Sequence, residues 1–289
     1  MPEVESAPCL LCVATASGLP LFCRPPRPQV PFSLVGALHG VHLFGVAAGA
    51  ELREAATPTA HLAWASYGNS ITLILLSPSP TPGPARILDS AFGAMVLVLG
   101  LDELVPVRNV ERLKRDLRVR GDWGELGATG IYWELLGGEF WGIFGVTPPQ
   151  ILSPLQERLQ RFAGAAQTDL GCLVFWGGGA VLGTAHWGAL PSPDSAQLRA
   201  LLETPPGGAV GAAARDFPVF LPNGSPQVPH RLLQLPLVPG VGLALLCGPR
   251  PSLQHLITQV SPDPSGPDPE RDREGGGAGS VTPTLHPKI

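Results

Sequence analysis

Between Pro84 and Val119 the apolar positions fall into two helical patterns separated by a break. Ile87, Leu88, Ala91, Phe92, Met95, Val96 and Leu99 recur at helical spacing and predict a buried helix face. Gly100 follows the last of them and Pro106 interrupts the chain, so a second helix is expected rather than a continuation. In that second pattern Val110, Leu113 and Leu117 form a narrow apolar stripe. Arg108, Arg112, Lys114, Arg115, Arg118 and Arg120 supply the charge around it. Two adjacent helices after a set of strands suit cover of one side of a sheet.

The strands come first. Leu10–Ala14 and Leu19–Cys23 flank Ser17-Gly18 and read as a hairpin, ended by Pro25, Pro26 and Pro28. Pro31 then opens a helix with Phe32, Leu34, Val35, Leu38 and Val41 as its apolar face. Gly36, Gly40 and Gly45 each cost that helix about 1 kcal/mol against alanine, so close packing on a sheet or a partner is expected to offset them. A strand at Glu51–Ala55 and a clearer one at Ala60–Tyr67 follow. Gly68-Asn69 suits a II′ hairpin turn with glycine at positive φ, leading into the β-branched and leucine-rich Ser70–Leu76. The unit reads ββαβββαα.

The order returns further along. Leu170–Trp176, a triple-glycine turn and Ala180–Ala185 form a second opening hairpin. Asp194 and Gln197 have the spacing of a capping box, with Leu198, Leu201 and Leu202 facing a core behind it. Phe217–Leu221, Arg231–Leu237 and Leu243–Cys247 follow as strands, punctuated by Asn223-Gly224 and Pro239-Gly240. Only Leu253–Val260 remains as a helix, so the second sheet is expected to be short of cover. Gly121–Pro149 fits neither unit and reads as an irregular insert. Ser261–Ile289, rich in Pro, Gly and charge, is expected to be disordered.

Composition narrows the function more than the fold. The 289 residues suffice for two domains, and an apolar fraction of 44% allows each a core. A charged fraction of 15% and a net charge of −4 argue against nucleic-acid binding. The acidic N-terminus lacks the positive segment of a signal peptide, and no apolar run reaches the ~18 residues of a membrane span. Five cysteines without a secretory signal suggest reduced thiols and a cytoplasmic setting. The sequon Asn223-Gly224-Ser225 then reads as a turn.

Local motifs for chemistry are weak. Cys9 and Cys12 have zinc-ligand spacing and Cys23 could join them, but a structural site needs four ligands. Alternating positions in an opening strand explain them better. Gly177, Gly179 and Gly183 miss dinucleotide-fingerprint spacing and precede a strand, whereas a phosphate cradle needs a helix N-terminus. His39 and His42 lie three apart with no carboxylate in their helix, so ordinary surface or core histidines are expected. With no nucleophile–base pair, paired carboxylates or metal cluster, neither catalytic residues nor a cofactor is expected. The basic stretch Asn109–Arg120 reads either as a solvated face or as a contact for an acidic partner or anionic membrane surface.

Specific segments carry a family resemblance. Pro31–Gly45, Ser70–Ser77, Phe92–Leu104, Asn109–Leu117 and Ala214–Leu233 are similar to longin-domain proteins of the planar-cell-polarity and ciliogenesis type. The resemblance implies an α+β fold of tandem longin domains, each a five-stranded antiparallel sheet covered by helices. It divides the chain into a first longin domain (1–120), the insert (121–150), an incomplete second longin domain (151–260) and the tail (261–289). The family continues beyond about Val260 into the rest of its second longin domain and a third, so a shortened form is expected.

By the same resemblance the chain works in cytoplasm and cytoskeleton at the cilium basal body. It pairs with Inturned and, with Fritz, acts on a Rab-type small GTPase, with peripheral membrane contact. It would serve as a non-catalytic subunit of a nucleotide-exchange complex, the alternative being a ciliary trafficking scaffold without exchange activity. Phe32, Leu34, Gly36 and Gly40, with Arg112, Lys114, Arg115 and Arg118, are the expected partner-binding residues.

Overall fold

Period-two alternation sorts the first strands into two apolar faces, and different helices cover each. In the computed structural model, residues 8–24, 30–119, 149–176, 180–202 and 214–260 are described. Strands β1 (Cys9–Ala14), β2 (Pro20–Arg24), β3 (Glu54–Thr57), β4 (Ala60–Tyr67) and β5 (Ile71–Ser77) form an antiparallel sheet in the order β2-β1-β5-β4-β3. Leu10, Cys12, Ala63, Leu73 and Leu75 point to one side. There they meet α2 (Pro84–Leu99), the short α3 (Leu101–Leu104) and α4 (Val110–Val119). Cys9, Leu11, Val13, Trp64, Ile74 and Leu76 point to the other, where α1 (Phe32–Ala47) lies. This is the ββαβββαα order with one added turn of helix.

The second sheet repeats the topology. Strands β6 (Leu170–Phe175), β7 (Ala180–Gly183), β8 (Arg215–Leu221), β9 (Ser225–Val238) and β10 (Val241–Cys247) pair antiparallel in the order β7-β6-β10-β9-β8. It is not short of cover. Helix α5 (Pro149–Ala165), which precedes the sheet, joins α8 (Leu253–Val260) on one face through Leu159, Ala163 and Leu256. The other face carries α6 (Ala185–Gly188) and α7 (Ser192–Leu202). Pro154 interrupts the apolar period of α5, which blurs this helix in the sequence.

Helix α2 belongs to both halves. Ile87, Leu88, Ala91, Met95, Val96 and Leu99 sit in the first core, while Leu97 is buried in the second. Ser90, Gly93 and Leu97 are spaced three and four apart, one stripe facing the second domain. Gln197 of α7 donates to the Ser90 carbonyl at 3.3 Å, and a Cβ on Gly93 would lie 2.3 Å from Gln197 Nε2. At the end of the helix Gly100 has φ +82°, and a Cβ there would lie 2.9 Å from the Phe220 ring. Gln227 adds a 3.0 Å bond to Asp102 of α3.

Three local expectations are corrected. The third strand runs over Glu54–Thr57 rather than Glu51–Ala55. The Gly68-Asn69 turn has both residues at positive φ, 54° and 52°, which makes it type I′ rather than II′; asparagine tolerates the left-handed region. Asp194 and Gln197 do not form a capping box. Asp194 is fully buried in the first turn of α7 and accepts from Asn223 N, Asn223 Nδ2 and Gly224 N at 3.0, 2.8 and 2.9 Å. Tertiary contacts claim both side chains, and the carboxylate pins the Asn223-Gly224 turn. The proline run at 25–28, the glycines at 177–179, the 121–148 part of the insert and the 261–289 tail lie outside the described residues.

Candidate partner-binding surface

Helix α1 has its polarity reversed. Its sequence holds three polar residues, Ser33, His39 and His42, and both histidines point into the protein. Val35, Leu38, His39 and His42, at i, i+3, i+4 and i+7, form the buried stripe. The expected apolar face of Phe32, Leu34, Val35, Leu38 and Val41 therefore splits: Val35 and Leu38 are buried, while Phe32, Leu34 and Val41 are exposed. Because the helix is apolar on all sides, hydrophobic spacing alone could not select the inward face.

The inward histidines reach a polar seam on the sheet, His39 and His42 each through Nε2, while the buried Nδ1 of His42 has no hydrogen-bond partner among the described residues. His39 Nε2 donates to the Thr15 carbonyl at 2.7 Å, and His42 Nε2 pairs with Ser66 Oγ at 3.1 Å. Thr72 Oγ1, between them, lies 2.8 Å from Thr15 Oγ1 and 2.9 Å from Ser66 Oγ. Burial lowers the pKa of His42 from its ordinary 6.5, and neighbouring His39 lowers it further. Gly18 permits this arrangement: at φ +66°, its missing Cβ would lie 2.6 Å from the His39 ring. Both histidines are structural polar contacts of the core.

Outside, the helix is almost wholly apolar. Ala37, Gly40, Val41 and Phe44 form an outward stripe, flanked by Phe32, Leu34, Leu43 and Val46. Phe32 is 74% and Phe44 77% exposed. Full burial of such a side chain is worth about 1.5–3 kcal/mol, so this face leaves substantial stabilisation unused. A Cβ added at Gly36 or Gly40 would meet nothing within 4 Å, so packing on the sheet does not require these glycines. Only Gly45 of the three is close to its own chain, with Ala50 O 3.2 Å from where a Cβ would stand. Among the described residues, the core cluster beneath α1 contains no residue of another helix.

Helix α4 lies away from this face, on the α2 side of the sheet against β2. Asn109 caps it, its side chain accepting from Arg112 N at 2.9 Å, and Leu113 and Leu117 enter the first core. Its charge is partly neutralised within the chain. Arg112 reaches Glu103 at 3.3 Å and Asp116 at 3.5 Å, and Arg115 lies 3.9 Å from Asp116. Lys114 is half-buried, and the Arg118 side chain lies outside the described residues. The expected binding residues thus occupy two separate surfaces: an apolar one on α1 and a basic one on α4. The zinc-like spacing dissolves too, because strand alternation places Cys9 and Cys12 on opposite faces of β1.

Comparison with known proteins agrees with this architecture. A family model described as the first longin domain of FUZ, MON1 and HPS1 matches residues 8–122. Its counterpart, the second longin domain of FUZ, MON1 and HPS1, matches residues 150–261. Protein fuzzy homolog of Homo sapiens is 44% identical over 262 residues, which cover 87% of this chain and 60% of that protein. The Mus musculus protein fuzzy homolog is 43% identical over 87% of this chain and 61% of its own length. That of Xenopus tropicalis is 39% identical, over 89% and 60% respectively. The chain therefore spans about three fifths of the length of these relatives. With both sheets, both family matches and this level of identity in agreement, the chain belongs to the longin-domain family of FUZ, MON1 and HPS1 and carries its first two longin domains.

Proposed function

We propose that this chain is a non-catalytic longin subunit that pairs through α1 with Inturned. Together with Fritz, the pair acts on a Rab-type small GTPase in ciliogenesis and planar cell polarity, in the cytoplasm at the basal body. The reversed polarity of α1 carries the reading: its histidines satisfy the sheet while Phe32, Val41, Leu43 and Phe44 face outward. An exposed apolar face of this kind marks a protein contact, and Gly36 and Gly40 let another backbone approach closely.

Exchange on a GTPase needs no general base. A partner that binds the nucleotide-free state more tightly than the nucleotide-bound state shifts the equilibrium toward release. The shared surface of two longin subunits would supply that difference, with the basic face of α4 meeting acidic groups or membrane beside it.

Co-purification with Inturned tests the pairing. Gly40→Trp should abolish the complex and leave the chain soluble; unchanged binding would remove α1 from the interface. Nucleotide release tests the activity, with no release expected from the chain alone and release expected from the pair. Binding without release would favour the trafficking scaffold.

A further inference from the structure

Two of the five cysteines come together in a way their sequence spacing did not suggest. Strand β2 pairs with β1 so that Cys23 lies opposite Leu11, which places Cys9 on the adjacent diagonal of the same face. Their sulfurs are 3.0 Å apart, one thiol donating to the other. A disulfide needs about 2.05 Å, so bond formation asks the sulfurs to close by roughly 1 Å without re-registering the strands. Cys9 is buried in the cluster beneath α1, while Cys23 sits at its margin, half-buried, and can be reached from solvent.

The remaining thiols are placed otherwise. Cys12 lies on the opposite face of β1, wholly buried, and burial pushes its thiol well above the ordinary range. Cys172 is in the same condition in the second core. Cys247 is buried and pushed up to about 11. Proximity and access coincide at Cys9 and Cys23.

We propose that Cys9 and Cys23 form a reversible disulfide, a redox clip between β1 and β2 that responds to peroxide. The Cys23 thiolate attacks one oxygen of hydrogen peroxide; the O–O bond breaks, leaving a Cys23 sulfenic acid and, after protonation, water. The Cys9 thiolate then attacks the Cys23 sulfur and expels hydroxide, which leaves as a second water. Two thiols lose two electrons and two protons, and peroxide is reduced to two waters. A dithiol reductant returns both electrons by exchange through a mixed disulfide. The clip closes the hairpin between the two strands and fixes β2, the edge strand on which α4 rests. It is independent of which partner α1 binds.

The test is peroxide treatment of the full chain, followed by intact mass and non-reducing peptide mapping. The expected result is loss of two hydrogens, a single cross-linked peptide joining Cys9 to Cys23, and full reversal by dithiothreitol. Cys12→Ser should retain the link, whereas Cys23→Ser and Cys23→Ala should both lose it. Thermal melting should shift upward on oxidation in the wild type and stay unchanged in the Cys23 variants. Continued alkylation of both Cys9 and Cys23 after peroxide treatment would overturn the proposal, as would a map showing only cross-links between chains.

Discussion

Helices α1 and α7 occupy the same slot, each following the second strand of its sheet and preceding the third, yet their surroundings differ. Alongside α7 lies α2, which packs against both α7 and β8 and places Leu97 in the second core. Alongside α1, among the described residues, no other helix enters the underlying cluster. The sequences of the two helices match that difference. Helix α7 shows solvent Ser192 and Arg199 and uses Gln197 to bond α2, whereas α1 shows solvent two phenylalanines and a run of small and aliphatic residues. The slot completed within the chain carries polar residues at its rim, whereas the α1 slot stays apolar and exposed.

The largest expected effect falls on the α2 side. Leu97→Ala should cost about 2–5 kcal/mol, the usual range for a buried leucine, measured as a lower denaturation midpoint. Gly93→Val should cost about 1–3 kcal/mol by overpacking against Gln197, and replacing Gln197 by Ala should recover part of that loss. On the α1 side, Gly36→Ala and Gly40→Ala should each raise stability by up to about 1 kcal/mol, since nothing opposes an added Cβ. Phe44→Ser should move stability by no more than about 0.5 kcal/mol while removing partner binding in co-purification. If Phe44→Ser instead unfolded the chain, α1 would have been completed from within like α7.

Acid should sharpen the same contrast. The folded pKa of His42 lies below its ordinary 6.5, so the unfolded chain binds more protons in the interval between the two values. The stability this neutral histidine contributes is therefore fully present above about pH 6.5 and is lost as pH falls toward the lowered value. Amide exchange in α1 should rise over that window before exchange in α2 does. Reversing Arg112, Lys114 and Arg115 to glutamate should cost little stability, because exposed ion pairs such as Arg112–Glu103 are worth about 1 kcal/mol or less. Its effect should appear in GTPase or membrane recruitment and fade with added salt.

Much of the fold was legible because both sheets alternate cleanly and turn residues mark their hairpins. Leu10–Ala14, Ala60–Tyr67 and Ser70–Leu76 lie within a residue or two of β1, β4 and β5. The face of α1 was not legible, since a helix apolar all round has no period to read. The second role of α2 was also hidden. Gly93 and Leu97 lie within an apolar run, and nothing local says that the run faces two cores rather than one. Capping-box spacing misled at Asp194 because a buried carboxylate found three better donors in a turn about thirty residues away. Helix α5 escaped because Pro154 and its polar residues blurred the stripe that ends in Leu159 and Ala163. The α1 and α4 positions expected from sequence mark two surfaces rather than one site.

A helix common to two hydrophobic interiors has a consequence for inheritance. The positions of α2 are divided between two judges, most answering to the sheet before it and Leu97 with Gly93 to the domain after it, so the helix ties the two domains together. A larger residue at Gly93 or a smaller one at Leu97 calls for an answering change on α7 or in the second core. The first domain therefore could not be transplanted into another protein without exposing Leu97 and the Gly93 face of α2. Modules that look separable as two successive longin units would travel through evolution as a single heritable block.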